Sequence, residues 1–187
     1  QSEYPEYDAQ FIVAVNNASL EMCKRYPIQR MYELTKNLNQ ENIDNGVAFE
    51  KFNLVESTKD TSGERSFMSF AENPVFKVTD EGIIPFNNYS TSLDMYLYLP
   101  SAESGDFHIY YNAYPKKITS ATPPSYVMEF EPEKCALLPL LIAWQLFADD
   151  DLTRATMYYN EYYQSLEDLP QAEKVTSGIS ISGGYEW

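Results

Sequence analysis

The chain holds a single histidine, His108, and two cysteines, Cys23 and Cys135, so its chemical repertoire is narrow. A Ser-His-Asp or Cys-His nucleophile, or a histidine-bound metal, would have to run through His108. That residue lies in Phe107-His108-Ile109-Tyr110-Tyr111-Asn112-Ala113, where alternation turns it away from the apolar face formed by Phe107, Ile109, Tyr111 and Ala113. Neither cysteine is close to it in sequence, and no Gly-x-Ser-x-Gly turn is present. One histidine and two widely separated cysteines do not supply tetrahedral zinc ligands. Asp149-Asp150-Asp151 is the most calcium-like feature, yet an EF-hand needs alternating ligands, a central Gly and a closing Glu, whereas Tyr158, Asn160 and Glu161 continue here in a helical pattern. The acidic run is therefore a helix break in which one carboxylate caps the next helix and the others favour its positive end. Carboxylate pairs suited to glycoside hydrolysis arise by chance among 28 acids, and the 7 glycines form no phosphate-binding loop. No catalytic residue, metal or cofactor is expected, and the chain is not expected to be an enzyme.

Aromatic residues are the remaining signal. Sixteen tyrosines among 187 residues, several in the groups Tyr96/Tyr98, Tyr110/Tyr111/Tyr114, Tyr158/Tyr159 and Tyr162/Tyr163, exceed what one small core buries. Tyrosine suits surfaces that are half dry and half wet. Because the groups are spread over helical and strand segments alike, a protein–protein surface is favoured. A sugar-stacking surface on Tyr96, Tyr98, Tyr110 and Tyr114, in an extracellular glycan-binding module, is the alternative.

The elements that carry these residues follow from periodicity. Phe11, Ile12, Val15, Ala18, Leu20, Met22 and Cys23 predict a helix over residues 8–26, ended by Pro27, and Met31, Leu34 and Leu38 predict a second short one. Residues 39–45 have loop chemistry. Between Val47 and Phe130 the period changes to two, predicting strands at residues 49–55, 66–70, 75–78, 93–99, 107–113 and 126–130, with residues 101–105 as a hairpin loop. After Pro132 the helical period returns: Leu140, Leu141, Ile142, Ala143, Trp144, Leu146 and Phe147 occupy every side of a helix that should be buried all round. Beyond the acidic break, Leu152, Ala155, Tyr159, Tyr162 and Leu166 predict a last helix closed by Pro170. The expected fold is α+β: residues 1–45 and 131–170 form a helical bundle from the N- and C-terminal helices, residues 46–130 an inserted small antiparallel β-sandwich, and residues 171–187 an extended C-terminal arm. The cysteines are expected to be reduced, buried thiols.

Charge restricts the partners. With 28 acids against 13 bases the formal net charge is -15, and a basic cluster such as Lys116-Lys117 is too small to neutralise a phosphate backbone. The apolar run from Ala136 to Ala148 contains Pro139 and Gln145 and falls short of the roughly 20 residues of a membrane span.

The C-terminal third carries a resemblance. Residues 111–119 (Tyr111-Asn112-Ala113-Tyr114-Pro115-Lys116-Lys117-Ile118-Thr119), Thr122-Pro123-Pro124, Glu129-Phe130-Glu131-Pro132-Glu133, residues 136–143, Asp149-Asp150-Asp151 and the Ala155-x-x-Tyr158-Tyr159-Asn160-Glu161-Tyr162 segment together resemble head–tail connector (adaptor) proteins of tailed double-stranded DNA bacteriophages. The N-terminal half fits that family in layout, with helices before a β insertion. The resemblance implies a structural virion protein of the neck, assembled in the bacterial host cytoplasm as a homo-oligomeric ring of about twelve copies. Such a ring sits below the portal, meets the portal protein and the next neck or tail protein, and forms part of the DNA channel. DNA passes without specific binding and no membrane is involved. On this reading Tyr158, Tyr159, Tyr162, Tyr163, Tyr185 and Trp187 are candidate oligomer or partner contacts, and Asp149, Asp150 and Asp151 are channel-facing or helix-capping. A tail-tube or tail-completion ring is the neighbouring alternative.

Overall fold

The computed structural model describes residues 5–60, 63–93 and 95–169. The chain divides into two compact units, Gln1–Phe130 and Glu131–Trp187. The first contains, in order, α1 (Pro5–Arg25), β1 (Ile28–Lys36), α2 (Gln40–Asp44), β2 (Phe49–Asn53), α3 (Leu54–Ser57), β3 (Phe67–Thr79), β4 (Gly82–Pro85), β5 (Ser90–Ser92), β6 (Tyr96–Pro100) and β7 (Gly105–Ala113). The second contains α4 (Pro132–Cys135), α5 (Leu138–Phe147) and α6 (Leu152–Asp168). The fold is α+β with two antiparallel sheets, ordered β1-β7-β3-β4 and β2-β6-β5.

Strict alternation makes β7 the organising strand. Phe107, Ile109, Tyr111 and Ala113 are buried on one face, as their spacing predicts, and they join Leu54, Phe67, Val75, Leu97 and Leu99 in one core fed by both sheets. Phe67 stacks on Tyr111 at 5.5 Å, while Phe86 meets Phe107 edge-on at 5.3 Å. Burial of so many large apolar side chains, each contributing roughly 1.5–3 kcal/mol, supplies the main driving force for this unit. One cation sits inside. Lys36, at the end of β1 and only 1% exposed along its side chain, pairs with Glu50 Oε2 on β2 at 2.9 Å and donates to the carbonyls of Glu103 (2.8 Å) and Ser101 (3.4 Å). It fastens the end of one sheet to the edge of the other. Helix α1 buries Ala14, Val15, Ala18, Ser19, Met22 and Cys23 in one stripe. It is tied to the strand region by the Cys23 thiol, which donates to the Ala113 carbonyl at 3.1 Å, and by Asn16, which exchanges two 2.8 Å hydrogen bonds with the Ile118 backbone.

Several elements differ from the sequence expectation. The segment with Met31 and Leu34 is not a helix but strand β1, paired over nine residues with β7 from Ile28 opposite Ala113 to Lys36 opposite Gly105. Its inner face is Ile28, Arg30, Tyr32, Leu34 and Lys36, so polar side chains at two inner positions mask the alternation, and tertiary pairing decides the conformation. Residues 40–44 are a short helix rather than loop, because the Asn39 side chain accepts from Asn42 N at 3.0 Å and caps it. In the same way Asn53 ends β2 and caps α3, which replaces the end of the expected strand 49–55. The two strands expected at 66–70 and 75–78 are one, β3, interrupted by a register shift between Phe70 and Val75 where Asn73 adopts a φ of 54°. Leu93, expected inside, has a φ of 53° and is 76% exposed, so the strand begins only at Tyr96; residue 94 lies outside the described residues. Residues 126–130 form no strand and are held by side chains, with Arg30 gripping Glu129 through two contacts of 2.6 and 2.7 Å.

A candidate assembly surface on the helical hairpin

The second unit is built around the hairpin of α5 and α6. Pro139 stands in the first turn of α5, where its missing N–H leaves no helical bond unmade. The run Leu-Pro-Leu-Leu-Ile-Ala-Trp-Gln-Leu-Phe then stops at the acidic turn. There the N–H of Asp151 donates to the Phe147 carbonyl at 2.8 Å, and the Asp151 side chain accepts from Arg154 N at 3.0 Å, capping α6. The carboxylate also meets the Arg154 guanidinium at 3.2 Å, and that guanidinium lies 5.6 Å from the Phe147 ring. Asp149 and Asp150 are exposed beside it.

Aromatic rings link the two helices. Trp144 contacts Tyr159 with centroids 4.8 Å apart, and Phe147 stacks on Tyr158 at 5.8 Å. Along α6, Tyr159 meets Tyr163 edge-on at 4.7 Å and donates to its hydroxyl at 3.1 Å, while Tyr163 meets Tyr162 at 5.4 Å. Of the candidate contacts, Tyr158 and Tyr159 are half-buried and Tyr163 is 40% exposed, so these three remain accessible. Tyr162 is 3% exposed, which corrects its assignment as a contact. Its place in the buried row of Ala155, Tyr162 and Leu166 follows from steps of seven and four residues along the helix. Tyr185 and Trp187 lie outside the described residues.

Helix α5 also departs from expectation. It is apolar on every side, yet only Leu138 and Leu141 are buried, and Leu146 is 37% exposed. Met157 and Leu152 on α6 are exposed as well. The hairpin thus leaves large apolar and aromatic side chains exposed, Leu146 on α5 and Leu152, Met157 and Tyr163 on α6, with the aromatic and methionine types that protein contact surfaces favour among them.

No family model and no curated protein matches the chain.

His108, Cys23 and Cys135 lie on three different elements, β7, α1 and α4. His108 is half-buried on the outer face of β7, opposite Glu33 on β1 and Phe76 on β3, and its Nδ1 is enclosed without a hydrogen-bond partner among the described residues. Cys23 is buried, and burial pushes its thiol above the usual range, the reverse of what a nucleophilic cysteine needs. Cys135 is half-buried rather than enclosed. Among the described residues no cluster of three His, Cys, Asp or Glu side chains could hold a metal ion, and no helix is long and apolar enough to cross a membrane. The tyrosines proposed for sugar stacking are dispersed: Tyr96 and Tyr98 belong to one sheet and Tyr110 to the other, Lys51 Nζ occupies one face of Tyr96 at 3.6 Å, and Phe76 abuts Tyr110 edge-on at 5.3 Å. Sequence reasoning missed Lys36 and Arg30. Both sit in step with Ile28, Tyr32 and Leu34, a signal that reading the segment as a strand would have exposed.

Proposed function

We propose that the protein is a non-enzymatic structural component of a tailed-phage virion: a head–tail connector that assembles as a homo-oligomeric ring of about twelve copies below the portal and forms part of the DNA channel. The observation that carries this reading is the α5–α6 hairpin, in which a Leu-Pro-initiated apolar helix passes through an acidic cap at Asp151 into an aromatic helix while Leu146, Met157 and Tyr163 stay exposed. Contacts in a ring are heterologous, so the hairpin would meet a different surface of the neighbouring copy. In this reading the portal protein lies on one side, the next neck or tail protein on the other, and the protein resides at the virion neck after assembly in the host cytoplasm. At -15 per chain, a ring repels the DNA phosphates, which lets the genome slide through during ejection rather than adhere.

Native mass spectrometry over a concentration series, with electron micrographs of the large species, tests it. Rings of about twelve copies, formed alone or on added portal, are the expected result. Sixfold rings would move the protein to the tail, and a chain that stays monomeric with and without portal would refute the connector reading.

A further inference from the structure

We infer that the free edge of β1 receives the segment Ile179-Ser180-Ile181-Ser182 of a neighbouring copy as an added strand, so that successive subunits are joined by exchanged backbone hydrogen bonds. This rests on the ring reading above. Strand β1 is nine residues long and pairs with β7 on one side only; among the described residues no strand lies against its other side. About half of its residues therefore turn N–H and C=O groups outward. Folded proteins protect such an edge by making it short, by placing proline, a bulge or a covering element on it, or by turning charged side chains inward; the inward charges of β1, Arg30 and Lys36, are already paired with Glu129 and Glu50. Strand β4, at the opposite edge of the same sheet, is protected in this way, being four residues long with Pro85 at its end. The outer strands of the second sheet are short too, with five residues in β2 and three in β5. Strand β1 has no proline, and its ladder with β7 runs without a register shift.

The side chains of β1 also describe what would sit beside it. On the core face Tyr32 and Leu34 pack against the buried cluster but remain only partly covered, as happens where a sheet lacks its next strand. On the other face stand Met31, Glu33 and Thr35, all exposed. A strand fitting this edge needs apolar residues two apart for the core face and small polar ones between them for the outer face. The chain contains such a run beyond its last described helix. Val175, Ile179 and Ile181 fall in step, Ser180 and Ser182 alternate with them, and Gly183-Gly184 bounds the run. In the added strand Ile179 and Ile181 would extend the row of Tyr32 and Leu34, with Ser180 and Ser182 beside Met31 and Glu33. Backbone pairing gives affinity and the isoleucine spacing gives register, the usual division of labour in strand addition.

The test uses full-length protein. A photoreactive phenylalanine analogue replaces Ser180, and copies grown in light and heavy isotopes are mixed before assembly and irradiation. Cross-links between light and heavy chains falling within Ile28–Lys36 are the expected result. Cross-links confined to single chains, or falling elsewhere, overturn the proposal. Ile181→Pro, which removes a backbone donor, should raise the concentration needed for ring assembly at least tenfold, while Ile181→Val leaves it within about twofold. Rings that form normally with Ile181→Pro and give no such cross-link overturn the strand exchange and leave the ring reading intact; a chain that forms no ring overturns both.

Discussion

Replacing Lys36 with Met keeps the packed aliphatic stem and removes only the ammonium group. The loss is large because that group has several partners at once: Glu50 Oε2 at 2.9 Å, Glu103 O at 2.8 Å and Ser101 O at 3.4 Å, around a side chain 1% exposed. Removing one member of a buried ion pair costs about 3–5 kcal/mol. Glu50 retains water access, at 25% exposure, and a 3.0 Å hydrogen bond from Asn39, so the lower end applies and Lys36→Met should destabilise the first unit by about 3 kcal/mol. With a urea dependence of roughly 2 kcal/mol per molar, the unfolding midpoint followed by the sheet's circular dichroism should fall by about 1.5 M. A pH arm isolates the cause. Hydrogen bonds from Lys36 first, and from Asn39 second, hold the Glu50 carboxyl below its ordinary 4.5. A depressed folded-state value stabilises fully above the ordinary value and is lost as pH falls through the folded one. Wild-type stability should therefore drop on the acid side of 4.5, and Lys36→Met should flatten that drop. A midpoint shift under about 0.3 M, or an unchanged acid-side profile, would refute the clamp.

Asp151→Ala removes the α6 cap and should cost about 1 kcal/mol in thermal unfolding, with Asp151→Asn recovering most of it. Leu146→Asp and Tyr163→Asp, both at exposed positions, should leave the monomer's circular dichroism unchanged and weaken assembly at least tenfold in native mass titrations, whereas Thr153→Asp, on an exposed position without a ring, should not. Native Cys135 should react with a thiol reagent well before Cys23, whose buried thiol is pushed up and donates to Ala113; equal rates would show that α1 opens readily from the strands.

How much was legible depended on whether local pattern and tertiary pairing agreed. They agreed along β7, where Phe107, Ile109, Tyr111 and Ala113 alternate without exception, and along α6, where a capping aspartate precedes a helical row. They disagreed along β1, because Arg30 and Lys36 occupy inward positions that distant partners, Glu129 and Glu50 among them, make tolerable. Asn39 was visible as a loop former and Asn53 fell inside an expected strand, but both side chains cap helices, and only the following backbone decides between such uses. The aromatic hairpin was legible in composition. The phase of α6 also separates sequence neighbours: Tyr162 shares the row of Ala155 and Leu166 and is buried, while Tyr163 is exposed.

Strand order in the first sheet also dictates when this unit can form. Its central strand, β7, is the last one made, and both β1 and β3 depend on it for pairing, with Ile28 waiting for Ala113 across most of the unit. During synthesis the β3–β4 hairpin can close early, but nine residues of β1 have no ladder until β7 has emerged. Long-range closure of this kind is slow. The second unit is the opposite case: its hairpin, α5 and α6 joined by a short turn, needs only neighbours in sequence. Every nascent copy thus carries an unsatisfied strand for most of its synthesis, at a time when other copies are being made nearby. A chain with one long strand edge must therefore keep that edge unused until the unit around it has closed.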